Sequence, residues 1–349
     1  MSNGQVSTVK IAATFIGTVV GAGFASGQET LRFFLIYGYK GLWGLVLVTI
    51  LFIVFGYIIM NLGRELHSQS QIEIIQYASG KSLGTIIDYI ITFFLFGALT
   101  AMIAGAGAVL AQQFNISSLW GNIIMGIITA LTVMTGIKGV INSISIVVPF
   151  LIISVLGISI LSLIFNPASS TNMEIISNVT VLKGNWLWSA ILYTSYNIVL
   201  SIAVLGTLGN NARNRISIRN GAILGGLGLG LGAIAIYFAM SNNIIDVIDK
   251  EVPMIYIAGR ISYIIQLIYA VVLIAEIYTT AVGSLYSLTS RIVGMQKANT
   301  NYFIIATSVA ALIASQFGFS NFVQYFYPIM GYGGILLLVC LTYKGLKRI

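Results

Sequence analysis

Charge is scarce: 7% of the 349 residues are Asp, Glu, Lys or Arg, against about a quarter in an ordinary soluble domain. That scarcity excludes a conventional cytosolic enzyme. A single cysteine, Cys340, excludes an intramolecular disulfide and a thiolate metal cluster, and a single histidine, His67, excludes a histidine-rich metal site. The 17 Lys and Arg outnumber the 9 Asp and Glu, for a net charge of +8. They form no cluster outside short loops, so a nucleic-acid-binding surface is excluded too. No G-x-x-x-x-G-K followed by Ser or Thr occurs, so nothing points to ATP-driven transport. No cleavable signal peptide is expected, because the apolar stretch after Lys10 runs into a Gly-rich turn and further apolar sequence.

What is abundant is apolar sequence, 58% of the chain, with a mean hydropathy of +0.97. A helix needs about 20 apolar residues to cross a hydrocarbon core of roughly 30 Å. On that basis the chain is an all-α polytopic membrane protein with ten expected transmembrane helices. Their approximate bounds are Thr8–Tyr37, Gly41–Gly63, Ser82–Phe114, Leu119–Gly136, Val140–Phe165, Trp186–Leu208, Ile218–Met240, Pro253–Ile292, Asn301–Phe317 and Phe322–Tyr343. The runs are continuous rather than alternating, which favours helices over barrel strands. With both termini cytoplasmic, twelve basic residues fall on the inner side and five (Arg32, Lys40, Lys183, Lys250 and Arg260) on the outer side. That is the positive-inside bias expected of a plasma membrane protein, bacterial by this reading, and the basic excess reports topology and contact with the lipid bilayer. The longest connection, Asn166–Asn185, leaves no room for an appended domain, so the chain is one transmembrane unit, 1–349.

Divided after the fifth span, the chain gives two similar halves, about 8–165 and 186–343. Span one would be about 45 Å long as a straight helix, yet Gly17, Gly21, Gly23 and Gly27 fall within eleven residues at its centre. Each weakens a helix by about 1 kcal/mol relative to Ala, so a break is expected there; close helix packing on small residues is the competing reading. Span six carries the polar patch Tyr193-Thr-Ser-Tyr-Asn197 amid apolar sequence. Paired interruptions in two five-helix halves point to a 5+5 inverted repeat, with helices 1 and 6 broken at the midplane, working as a secondary transporter.

Gly17-Thr-Val-Val-Gly-Ala-Gly-Phe24 resembles the first-helix break of LeuT-type transporters in the amino acid–polyamine–organocation superfamily, and Gly63-Arg-Glu65 resembles that fold's usual end to span two. The longer string Gly21–Glu29 resembles a bacterial branch of amino acid permeases. In span eight, Glu276, Thr279 and Thr280 share one helical face. The adjacent hydroxyls are similar to the sodium-binding pair of sodium-coupled LeuT-type proteins, and the resemblance implies that carbonyls of Gly17 and Val20 complete the site. Glu276 departs from that pattern, where a small residue is usual. A carboxylate near the bilayer centre costs roughly 2.5–3.5 kcal/mol, which marks it as functional: a further sodium ligand, a proton carrier or a partner for a cationic substrate group.

The resemblance implies a sodium-coupled symporter of a small amino acid or related solute, with no organic cofactor. The substrate carboxylate is expected at Ala22, Gly23 and Phe24, and the rest against Tyr193, Ser195, Tyr196, Asn197 and the small-residue face Gly97, Gly105 and Gly107. The alternative is a proton-coupled or uncoupled permease for another solute with Glu276 as proton carrier; a channel or sensor without turnover fits less well. Gln28 and Glu29 are expected at an outer gate or in solvent, and Asp246, Asp249 and Glu251 in a solvated loop. The run Gly225–Gly232 is expected in helix packing rather than in dinucleotide binding. Pro149 and Pro328 are expected to kink spans five and ten.

Overall fold

The computed structural model describes residues 6–68, 70–135, 150, 153–165, 185–296 and 300–345. The start of span five with Pro149, the connection 166–184, and Lys138, Lys183, Lys297, Lys347 and Arg348 of the charge tally lie outside them. The described residues are helical almost throughout. Among the described residues seven helices are long and apolar enough to cross a membrane, and Thr8–Val19, Ser118–Met134 and Ile153–Phe165 are shorter apolar helices. Side chains such as Trp43, Ile50, Leu131, Ile264 and Val339 are exposed on the outside of the bundle, as expected where the solvent is hydrocarbon.

Span one is three pieces: α1 (Thr8–Val19), α2 (Ala22–Ser26) and α3 (Gln28–Phe33). The break falls at Val20 and Gly21, both extended, with ψ of 101° and −173°; Gly17 stays inside α1. The second interruption is Gly27, with φ of 83°. Only glycine takes that conformation without strain, and an added methyl would also meet Met240 and Met254.

The chain continues through α4 (Tyr39–Glu65), α5 (Gln71–Phe114), α6 (Ser118–Met134), α7 (Ile153–Phe165), α8 (Trp186–Asn210) and α9 (Arg215–Ser241). It ends with α10 (Pro253–Ile261), α11 (Tyr263–Gln296), α12 (Thr300–Ala314) and α13 (Tyr327–Gly345). Span three begins earlier than expected and turns at Gly80, where φ is 78°. Span eight is divided at the extended residue Ser262, so Pro253–Ile261 is a separate short helix. Pro328 follows directly on the π-helical turn Phe322–Phe326 inside the continuous helix Phe319–Lys344; lacking an N–H, it removes one hydrogen bond from that helix.

The expected break in span six is absent: α8 is one helix from Trp186 to Asn210. The polar patch sustains the helix instead of interrupting it. Thr194 Oγ1 donates to the Ala190 carbonyl at 3.0 Å, and Asn197 Nδ2 donates to the Tyr193 carbonyl at 3.0 Å. Ser195 Oγ donates to the Gly331 carbonyl of α13 at 2.7 Å. With no glycine between Trp186 and Leu205, and with Thr194, Ser195 and Asn197 each donating to a carbonyl, nothing opens the backbone.

Packing sorts the helices into two groups, with α1, α4, α8 and α9 against one another, and α5, α6, α11 and α12 against one another. α13 lies along both α8 and α5. In the first group backbones nearly touch: a methyl on Gly63 would sit 2.1 Å from the Gly206 carbonyl oxygen, and one on Gly209 would sit 1.9 Å from that of Met60. The run Gly225–Gly232 packs in the same way, with Phe15 over Gly225, Ile53 over Gly226 and Thr49 over Gly230. In the second group Arg291 pairs with Asp88 at 2.7 Å, joining α11 to α5.

Gly63→Ala is therefore expected to lower the melting temperature of the detergent-purified protein, since overpacking against fixed backbone costs about 1–3 kcal/mol. Gly126→Ala, whose methyl meets nothing nearer than Ile103 at 4.0 Å, should leave it unchanged or slightly higher. Equal melting temperatures for the two variants would contradict the packing described.

Candidate functional site

A helix that stops inside a bundle leaves its last carbonyls and the next helix's first N–H groups without intrahelical partners. At Val20–Gly21 these groups face a cavity of about 430 Å³ between the two helix groups. α1, the break and α2 supply Gly17, Thr18, Val20, Gly21, Ala22 and Gly23; α11 supplies Glu276, Thr279, Thr280 and Ser284; α8 supplies Tyr196 and Asn197. Glu29, Met102 and Tyr327 complete the middle of it.

The carboxylate of Glu276 is 3% exposed and lies within 3.5 Å of Thr279 Oγ1 and 3.4 Å of Thr280 Oγ1. Thr279 Oγ1 also donates to the Glu276 carbonyl at 3.0 Å, so its hydroxyl is shared between backbone and carboxylate. A methyl on Gly21 would lie 4.0 Å from Thr280 Oγ1, which puts the hydroxyl beside the broken backbone. Carboxylate, hydroxyls and carbonyls form an all-oxygen donor set that suits a hard cation.

Glu29 does not lie in an outer vestibule. It is 5% exposed and folds back over Gly23, whose added methyl would lie 2.2 Å from Glu29 Oε1. The hydroxyls of Tyr193 and Tyr196 approach it, but neither hydroxyl, nor Glu29 Oε2, completes a hydrogen bond. The aromatic rings form a plug: Phe34 to Tyr193 at 4.9 Å, Tyr193 to Tyr196 at 5.5 Å and Tyr196 to Tyr327 at 5.0 Å.

Beyond the plug the chain is stitched shut. Gln28 Nε2 donates to the carbonyls of Lys250 and Glu251 at 2.5 and 3.1 Å, and Arg32 Nη2 donates to Ser320 Oγ at 2.8 Å. Glu251 Oε2 accepts the Ser320 N–H at 2.7 Å, so Glu251 belongs to this closure and not to a solvated loop. Tyr269 donates to the Ala25 carbonyl, and Ser189 to that of Phe33. At the other end of the cavity exposure rises, with Gly17, Thr18, Tyr286 and Ser287 partly exposed and Val204 exposed.

All five residues expected around the cation (Gly17, Val20, Glu276, Thr279 and Thr280) line this one cavity, as do Ala22, Gly23, Tyr196 and Asn197. Phe24, Tyr193 and Ser195 do not. Phe24 packs on Gly232, Tyr193 sits in the aromatic plug, and Ser195 is bonded to α13. The glycine face expected from span three is turned elsewhere: Gly97 meets Phe326, Gly105 meets Phe319, and Gly107 meets Asn122. α5 presents Leu95, Ala98 and Met102 instead. Tyr327 and Met102 carried no sequence signal, being an aromatic and an apolar residue among many.

No family model matches the chain. Its fold is the LeuT-type fold. It superposes on the inward-facing conformation of Mhp1 with a TM-score of 0.65 at 15% identity, over 97% of this chain and 76% of that one. MhsT in complex with L-phenylalanine gives 0.65 at 16% identity, over 94% and 87%. A Na+-coupled sialic acid symporter in a substrate-bound outward-open state gives 0.64 at 12%, over 99% and 91%. These similar structures are membrane transporters, not enzymes. In sequence, the chain is 29% identical over 348 residues to YkvI of Bacillus subtilis strain 168, described as an uncharacterized membrane protein, covering 100% of this chain and 99% of that one. It is also 29% identical over 330 residues to YyaD of the same organism, covering 93% of each.

The asymmetry of the cavity predicts unequal chemical access. In a Cys340→Ser background, Ser287→Cys should react with a small water-soluble thiol reagent about tenfold or more faster than Ser26→Cys. Equal rates would contradict closure at the Glu29 end.

Proposed function

We propose that the chain is a secondary active transporter that moves a small amino acid or related solute together with sodium by alternating access. The observation that carries this reading is the single cavity that joins the first-span break to Glu276, Thr279 and Thr280, stitched shut at one end and exposed at the other. On this reading the three shorter apolar helices also cross the membrane, giving ten passes as a 5+5 inverted repeat of about 8–165 and 186–343. Only the first helix of that pair is broken in this structure. Both termini face the cytoplasm of a bacterial cell, and the state described is inward-open.

In this scheme the carbonyls of Gly17 and Val20, the hydroxyls of Thr279 and Thr280 and the Glu276 carboxylate hold sodium between the two helix groups. A neutral-oxygen site with one carboxylate offsets a single positive charge without a second counter-ion. The solute lies against Ala22, Gly23, Tyr196 and Asn197. Sodium moving through 100 mV releases about 2.3 kcal/mol, sufficient for a modest uphill gradient. Gln28, Arg32, Glu251 and Ser320 form the outer gate, whose hydrogen bonds break when the helix groups rock apart.

Sodium chloride is expected to raise the melting temperature of the purified protein above its value in potassium chloride of equal strength. At a hundredfold excess over the dissociation constant the gain is about 2.7 kcal/mol. Thr280→Ala should abolish the difference while leaving the potassium value close to wild type. A protein indifferent to sodium but responsive to pH would move Glu276 to the role of proton carrier and leave the fold unchanged.

A further inference from the structure

The proposed transport reading leaves one charge in the cavity unmatched. Two carboxylates, Glu29 and Glu276, line it, and among the described residues its lining contains no Lys, Arg or His. Carboxylates in such a place need a counter-charge or full hydrogen bonding. Glu276 has the Thr279 and Thr280 hydroxyls within reach and, on the transport reading, sodium. Glu29 has no counter-charge: the Tyr193 and Tyr196 hydroxyls approach it, but its Oε2 is buried without a partner, and so is the hydroxyl of Tyr196, a residue 2% exposed that lines the same cavity. A carboxylate oxygen and a hydroxyl thus lie buried without a hydrogen-bond partner at the closed end of the cavity, against Gly23.

We infer that the transported solute is a small organic cation of net charge +1, with its ammonium group paired to Glu29. The inference rests on the transport reading and narrows it. With both carboxylates ionised, one sodium and one positive solute match them, whereas a zwitterion with one sodium leaves one negative charge over. A zwitterion's carboxylate would also meet Glu29 at the turn of α2 where it was expected to bind, because the Glu29 side chain already covers Gly23. The rings of Tyr196 and Tyr327, 5.0 Å apart, add aromatic faces, which attract an ammonium. A transition-metal cargo fits less well, since no group of three or more His, Cys, Asp or Glu stands together among the described residues.

The test is a binding titration on the full-length purified protein in saturating sodium, using matched pairs that differ only in the carboxylate. The pairs are alanine with ethylamine, leucine with isopentylamine, and phenylalanine with phenethylamine; lysine and arginine carry the same net charge with a carboxylate present. Binding of at least one amine or basic amino acid, with the neutral amino acids about tenfold or more weaker, is the expected result. Glu29→Gln should weaken the preferred cation about tenfold or more while keeping the sodium-dependent shift in melting temperature, which shows that the variant is folded. Should Glu29→Gln fail to fold, Tyr196→Phe, which keeps the ring, gives the second reading and should weaken the same ligand. Neutral amino acids binding as tightly as their amines, an unchanged affinity in Glu29→Gln, or no response to any cation would overturn the substrate assignment. Loss of the sodium effect in the wild-type protein would instead strike the transport reading beneath it.

Discussion

The bundle depends on one constraint: backbone that leaves helical geometry in the middle of a membrane protein must find polar partners there. At Val20–Gly21 the helix is interrupted inside the bundle, with Val20 buried and Gly21 partly so. The surroundings of the break follow from that need. Thr280 brings a hydroxyl to it, Glu276 brings a carboxylate one turn away, and Glu29 folds back to the first turn of α2. These groups would be expensive anywhere else in an apolar bundle. Placed together, they turn an unfavourable gap in a helix into a polar chamber whose contents can be exchanged.

Division of the bundle into two packed groups explains why the chamber lies where it does. Within each group helices meet closely, through bare glycine backbones in one and through the Arg291–Asp88 pair in the other. Between the groups, contact is made by side chains and by a few hydrogen bonds at one end. Packed interiors resist small continuous deformation, so relative motion is cheapest along the seam. Rigid halves separated by a polar seam are the architecture that alternating access requires.

Much of this was legible in the sequence. Glycine spacing located the first break to within a few residues, because glycine's weakness in a helix is local and needs no knowledge of neighbours. Glu276, Thr279 and Thr280 were readable as a unit since helical spacing alone puts them on one face. The polar patch of span six was misleading for an equally physical reason: Thr and Asn side chains either replace a missing backbone hydrogen bond or bond back to an intact helix, and composition does not distinguish the two. Glu29 needed a backward fold through Gly27, a tertiary fact with no one-dimensional signature. The small-residue face of span three was visible, but which neighbour it served was settled by the rings of Phe319 and Phe326 from the far end of the chain.

A short parallel bridge at the exposed end ties Val6 to Ala212, with the Val6 N–H donating to the Asn211 carbonyl at 3.0 Å and the Arg213 N–H to the Val6 carbonyl at 3.2 Å. It leashes the beginning of α1 to the turn between α8 and α9. Tilting α1 alone, the most direct way to widen that mouth, sacrifices both bonds at a net cost of about 1–3 kcal/mol. Movement that carries α8 and α9 along sacrifices neither. The leash therefore biases the molecule toward swinging its first helix as part of a four-helix body, and sets how far that helix can stray by itself.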